Sequence, residues 1–193
     1  DGRVCFLADY RTGEFSKTHT KLFCLDEVAG TLAFSRIVSD NTGMSSMGLS
    51  KVVVADSKVF AIMKYVYVFD ITTGNELYKS EQLQTFDNYI NPVVMDSEVM
   101  FILGGTVYFV SVSDYSTRTV DISSLNDSDV LATPALDSLN NIYFGNRYGK
   151  LFAIKNDGTL IWKKDFNPEN NDQGPFIGSS VAIDESLEQV YFG

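Results

Sequence analysis

Histidine, cysteine and positive charge are scarce in this chain, and each scarcity narrows what it can do. His19 is the only histidine among 193 residues, so a Ser-His-Asp arrangement or a histidine-rich metal site has one residue to draw on. It sits in a polar stretch and reads as an exposed bystander. With 15 Lys and Arg against 25 Asp and Glu, the net charge is -10. Such a surface repels phosphate backbones and anionic headgroups, so no nucleic-acid partner is expected. No run of about 18 apolar residues occurs, which excludes a membrane-spanning helix. The start, Asp1-Gly2-Arg3, has neither the basic nor the apolar region of a signal peptide. No stretch carries a sustained 3.6-residue period, so long helices are not expected. The oxygen-rich "NPENNDQG" at 167–174 lacks EF-hand spacing and reads as a solvated loop, not a metal site. Gly145 and Gly149 have no helix after them, so they do not form a phosphate cradle.

Short apolar runs are plentiful. Val4 to Leu7, Leu22 to Leu25, Val59 to Ile62, Val66 to Phe69, Val99 to Leu103 and Ile142 to Phe144 are each rich in Val, Ile, Phe or Tyr and bounded by turn residues. The class is all-β. Hydrophobic residues make up 45% of the chain, enough to bury a substantial core.

Two series of markers repeat in phase. Apolar runs end in Asp56, Asp96, Asp137 and Asp184, at spacings of 40, 41 and 47. Aspartate can bond the backbone of a turn, so these read as hairpin corners in preference to metal or catalytic groups. Gly30, Gly74 and Gly158 are each followed four residues later by an aromatic, Phe34, Tyr78 and Trp162. Glycine supplies the positive φ of a tight turn, and the aromatics are expected to dock one sheet on the next. The third repeat, "VSVSDYSTRTVDI", has neither feature. On one template of strands A to D the chain reads B, C, D, then three full sets, then A and B. The repeats cover about 1–38, 49–80, 91–124, 129–166 and 176–193. A period of 40 to 48 residues with four strands per unit predicts a β-propeller of about four blades, better than a β-sandwich. The chain enters and leaves in strand patterns, "RVCFLAD" and "QVYFG", which suggests a piece of a longer protein.

"IYFGNRYGKLFAIKNDGTLIWK" and "GSSVAIDESLEQVYFG" resemble the repeats of pyrroloquinoline-quinone-like propellers. The likeness is strong over 130–193, fair over 4–36 and 50–80, and poor over 99–125. It implies a fold shared by quinone-dependent dehydrogenases, by the outer-membrane-assembly scaffold lipoprotein of bacteria and by other envelope proteins. It also implies a ring of seven or eight blades in all and a cell-envelope location, periplasmic or extracellular. The dehydrogenases are marked by a disulfide between adjacent cysteines, and Cys5 and Cys24 are not adjacent. The expectation is a non-enzyme without cofactor that binds a protein or glycan. The alternative is a fragment of a dehydrogenase whose cofactor site lies in other blades. A homodimer of two half-rings is a further way to close the ring.

Two finer expectations follow from a hairpin with Arg147 and Tyr148 at its tip. Ile142 then faces Ala153 and Tyr143 faces Phe152. Carried to the first repeat, Cys5 takes the place of Tyr143 and Cys24 that of Ala153. The two cysteines then lie on opposite faces of adjacent strands, which disfavours a disulfide. In a four-stranded meander the B-to-C and D-to-A connections share one end, and the long connections 10–20, 39–48, 81–89 and 168–175 all belong there. Scaffold-borne loops are where binding resides. The candidate contact residues are Arg11, Phe15, Lys17, His19, Met44, Met47, Phe86 and Tyr89.

Overall fold

The computed structural model describes residues 2–11, 17–42, 51–83, 91–125, 130, 133–168 and 177–193, with backbone alone for 9–11, 17, 18 and 39–42. Seventeen strands and one 3-10 turn (Ser123–Leu125) make up its regular structure. The first sheet has three strands, β1 (Arg3–Arg11), β2 (Lys17–Asp26) and β3 (Leu32–Thr42). The second contains β4 (Val52–Ala55), β5 (Lys58–Ile62), β6 (Val66–Asp70) and β7 (Glu76–Lys79), in that order. The third contains β8 (Val93–Met95), β9 (Glu98–Leu103), β10 (Thr106–Ser111) and β11 (Thr117–Asp121). The fourth contains β12 (Ala135–Leu136), β13 (Ile142–Gly145), β14 (Lys150–Ile154) and β15 (Leu160–Asp165). β16 (Ala182–Asp184) and β17 (Gln189–Tyr191) form a two-stranded fifth sheet. All are antiparallel meanders, the blades of a β-propeller, in the predicted phase of B-C-D, three sets of A-B-C-D, then A-B. Among the described residues no helix is long and apolar enough to cross a membrane.

The chain divides into two compact units, Asp1–Asn88 and Tyr89–Gly193. In the first, Leu22, Cys24, Phe34 and Val38 of the first sheet pack with Val59, Ala61, Tyr67 and Phe69 of the second. In the other, Met100, Ile102, Val107 and Phe109 of the third sheet pack with Ile142, Phe144, Phe152 and Ile154 of the fourth. Strands B and C of the complete sheets are buried on both faces, which explains their near-continuous apolar runs.

A recurrent bulge orients the marker aromatics. The C-to-D register slips beside Cys24, Val68 and Ala153, which lie opposite Phe34, Tyr78 and Trp162. One extra residue in strand D, just before the aromatic, re-aims that side chain. The third sheet has no such slip, and Arg118 stands opposite Phe109 where the others have an aromatic, its guanidinium 3.5 Å from that ring's centre. Tyr115, at φ 62, occupies the turn position of the missing glycine, with its N–H bonded to the Ser111 carbonyl as Gly74 is to Asp70. The poorly matching repeat is a complete blade that lacks both bulge and glycine.

The turn glycines have a second role. A Cβ at Gly74 would lie 2.6 Å from the Phe34 ring, and one at Gly158 would lie 2.5 Å from Val120. Each glycine is thus a socket for strand D of the preceding sheet. Arginines close the same contact: Arg36 donates to the Gly74 and Thr73 carbonyls at 2.7 and 3.3 Å, and Arg118 to that of Asn156 at 3.4 Å.

The cysteine expectation is corrected. Cys5 and Cys24 are direct cross-strand partners, with Cα atoms 4.1 Å apart, and form a disulfide. The correspondence of Cys5 with Tyr143 and Cys24 with Ala153 was sound; the register of the reference hairpin was one residue off. Ile142 pairs with Ile154, and Tyr143 with Ala153. The loop is three residues, Arg147 to Gly149, because Asn146 bonds Lys150 and Gly149 adopts φ 72. A three-residue loop ending in a left-handed glycine is a standard hairpin closure, and its extra residue flips every pairing.

Candidate functional site: the arm of the first sheet

The first sheet is longer than its sisters. β1 and β2 pair over nine rungs, from Arg3 with Asp26 to Arg11 with Thr18, whereas the matching pairs β5–β6, β9–β10 and β13–β14 span five, six and four. β3 follows as far as Thr42 opposite Lys17. At about 3.4 Å per residue, the three to five extra rungs add on the order of 10 to 17 Å of sheet. The stretch 10–20, expected as a loop, is therefore largely strand. Its signal was the alternation Lys17-Thr18-His19-Thr20-Lys21, in which β-branched threonine takes every second place. Thr20 is 1% exposed.

The arm gathers part of the expected set. Arg11, Lys17 and His19 occupy its last three β1–β2–β3 rungs: His19 is opposite Tyr10 and Asp40, Arg11 opposite Thr18, and Lys17 opposite Thr42. Phe15, Met44, Met47, Phe86 and Tyr89 lie outside the described residues. Beyond the base of the arm, Met63 and Tyr65 at the β5–β6 turn pack on the same core as Leu22 and Val38. Lys79 stands 4.4 Å from the Tyr65 ring centre and 5.2 Å from that of Tyr67. The sequence pass missed this cation–aromatic group, which is spread over "KYVY" and "LYK". Burial raises the Tyr67 hydroxyl above its ordinary value, with Lys79 partly opposing.

Charge is unevenly divided. Residues 1–88 carry nine Lys and Arg against eleven Asp and Glu, and residues 89–193 six against fourteen. Net charges of -2 and -8 leave the first unit nearly neutral.

The marker aspartates stand in A-to-B corners. Asp56 and Asp96 have φ of 48 and 49 in two-residue turns. Asp137 accepts from the Leu139 and Asn141 N–H groups, the Asn141 amide and the Tyr143 hydroxyl. Burial opposes its charge, yet these bonds outweigh that and hold its carboxyl below the ordinary range. Asp184 accepts from Ser186 and Leu187. The corners also meet each other, Asn140 donating to Asp96 and Ser138 to Glu185. Among the described residues no group of three or more His, Cys, Asp or Glu could hold a metal ion.

Of the expected docking aromatics, Phe34 is 7% exposed and faces Gly74. Trp162 is half-buried, with its ring 5.9 Å from that of Tyr143, beside Leu151, Ile177 and Val181. Tyr78 is half-buried opposite Val68.

Solved structures share this fold. BamB from Moraxella catarrhalis superposes with a TM-score of 0.60 at 14% identity, over 89% of this chain and 51% of its own. Quinohemoprotein alcohol dehydrogenase from Comamonas testosteroni gives 0.61 at 12%, over 92% and 38%. The computationally designed Ika8 protein gives 0.56 at 12%, over 92% and 52%. The chain thus spans about half the length of two of these and less than two fifths of the third. No family profile and no curated sequence matches it. At identities this low the superpositions show the β-propeller fold alone and leave activity open.

Proposed function

We propose that the chain is part of a non-catalytic propeller scaffold of the cell envelope that engages a protein partner through the arm of its first sheet. The observation that carries this reading is the arm itself: three to five rungs more than the matching strand pairs of the other sheets, bearing Arg11, Lys17 and His19 in a unit of little net charge. Strand pairing sets the backbone of the contact residues before binding, which lowers the entropic cost of association. The cross-strand disulfide supports an oxidising compartment, where such bonds persist. The likeness to BamB fits a scaffold role, and the equal likeness to an alcohol dehydrogenase keeps the enzyme reading as the alternative.

Site-specific photocrosslinking tests the proposal. A photoreactive residue at Lys17 should give a discrete protein adduct in cells, whereas one at Lys164, exposed on β15, should not. Adducts from both positions or from neither remove the arm as the contact surface, and an adduct to a second copy or a glycan replaces the partner. Added pyrroloquinoline quinone with calcium should leave the melting temperature unchanged. A rise of several degrees would favour the dehydrogenase reading.

A further inference from the structure

The corners that join strands A and B are of two kinds. In the second and third sheets they are the two-residue turns 56–57 and 96–97, and neither holds an apolar residue. In the fourth and fifth sheets the strands are separated by 137–141 and 185–188, and each of these longer corners gains a leucine, Leu139 and Leu187. The added length is ordered from within. The Asp137 carboxylate accepts the Leu139 N–H at 2.9 Å, and that of Asp184 accepts the Leu187 N–H at 3.1 Å. Neighbouring corners are then tied to one another. Ser138 donates to the Glu185 carboxylate through its N–H and its hydroxyl, and the Asn140 amide donates to Asp96 at 2.7 Å. Leu139 therefore stands in the middle of a ridge of three linked corners. With a described corner on either side it is still 79% exposed, so it packs on little of its own fold.

The ridge is acidic. Residues 96–97, 137–141 and 184–188 include Asp96, Asp137, Asp184, Glu185 and Glu188 and no Lys or Arg. The C-to-D turns 112–116 and 155–159, which share this end of their meanders, add Asp114 and Asp157 against Lys155. We propose that this ridge docks a basic amphipathic segment of a partner protein, with an apolar side chain on Leu139 and lysine or arginine beside the surrounding carboxylates. Desolvation of the leucine supplies affinity, and the carboxylates attract a cationic segment and repel an acidic one. The surface lies in the second unit and goes beyond the arm of the first sheet, so it stands whether or not the arm binds.

A short amphipathic peptide of leucine and lysine is the probe, and the backbone amide NMR shifts of the whole chain are the readout. Salt of about 0.15 M screens attraction between distant exposed charges. The largest shifts should fall at 138–140 and 185–187. Leu139→Ser should weaken binding about fivefold, and it leaves the corner intact because Asp137 bonds the backbone N–H. Leu160→Ser, at a 43% exposed leucine on β15, should change it less than about twofold. Glutamate in place of the peptide's lysines should abolish binding, and serine in place of its leucines should weaken it about tenfold. Shifts centred elsewhere, equal effects of the two variants, or no shift at millimolar peptide would overturn the proposal. Equal binding of the serine peptide would overturn it too, as general charge attraction. Leu139 shifts that grow with protein concentration alone would make a second copy the occupant and overturn it as well. Crosslinking from Lys17 is read separately, so failure of the ridge leaves the scaffold reading in place.

Discussion

The first and fourth sheets build one structural row from unlike chemistry. In the fourth, Tyr143, Ala153 and Trp162 lie side by side across three strands, and two large rings meet over a methyl group. In the first, Cys5, Cys24 and Phe34 take the same places, and a covalent bond stands where the tyrosine packs. The repeat fixes backbone geometry, bulge and turn, and it leaves each sheet free to fill the row with rings or with sulfur. A fold specified in this way tolerates wide divergence of sequence, which accounts for its appearance in neighbours only 12 to 14% identical.

The outer residues of the two rows provide the largest contrast. Phe34 is buried against the Gly74 socket, so Phe34→Ala should cost about 3 to 4 kcal/mol. Trp162 is half-buried and should cost about 2 when cut to alanine, less than its size suggests. Denaturant midpoints at unchanged slope measure both, and equal costs would mean that the two rows are loaded alike. Next in size is the covalent link. Replacing both cysteines by alanine frees a loop closed by a bond 19 residues apart and should lower stability by about 3 kcal/mol. Titration of the unfolded, unreduced protein should find no thiol; two would return the first sheet to the unlinked arrangement.

The glycines carry the comparison to the second sheet. Gly74 and Gly30 have nearly the same φ, 68 and 64, yet a Cβ at Gly74 meets Phe34 whereas one at Gly30 meets nothing within 4 Å. Gly74→Ala should cost about 2 to 3 kcal/mol, from backbone strain and overpacking together, and Gly30→Ala about 1, from strain alone. The difference between the two variants isolates the socket. Equal losses would show that turn conformation is the glycine's whole contribution.

Much of this was legible in the sequence because propeller blades are local. Each strand pairs with its chain neighbour, so turn residues and apolar runs were enough to give strand phase and count. Register was not legible, since two- and three-residue hairpin loops differ only in whether Gly149 takes the left-handed position, and that choice decided where the cysteines lay. The sockets were invisible because Gly74 and Phe34 are 40 residues apart, and a turn glycine looks the same whether or not a neighbour rests on it. Of the candidate contact residues, Arg11, Lys17 and His19 came together because they share strand ends; nothing in "SKTHT" separated an extended arm from a loop except its alternation.

Tyr143 offers the smallest and most specific test. Burial and its hydrogen bond to the Asp137 carboxylate push its hydroxyl up to about 12, from an ordinary value near 10. A raised value means the folded chain holds this proton more tightly than the unfolded chain. The stability it brings is complete below about pH 10 and is lost as pH rises toward 12. On the acid side Asp137 is depressed, so its contribution is present above the ordinary carboxyl range and fades as pH falls through the lower folded value. Tyr143→Phe should cost about 1 kcal/mol on the plateau between these limits, after allowance for partial exposure. The wild-type advantage over the variant should shrink at both ends of the pH range. Cys5 holds the matching place in the first sheet and offers no such group, so a Cys5→Ala, Cys24→Ala double variant should lose stability without this two-sided pH profile. A pH-independent gap between wild type and Tyr143→Phe would leave the ring as packing alone and remove the hydroxyl from the account of the fourth sheet.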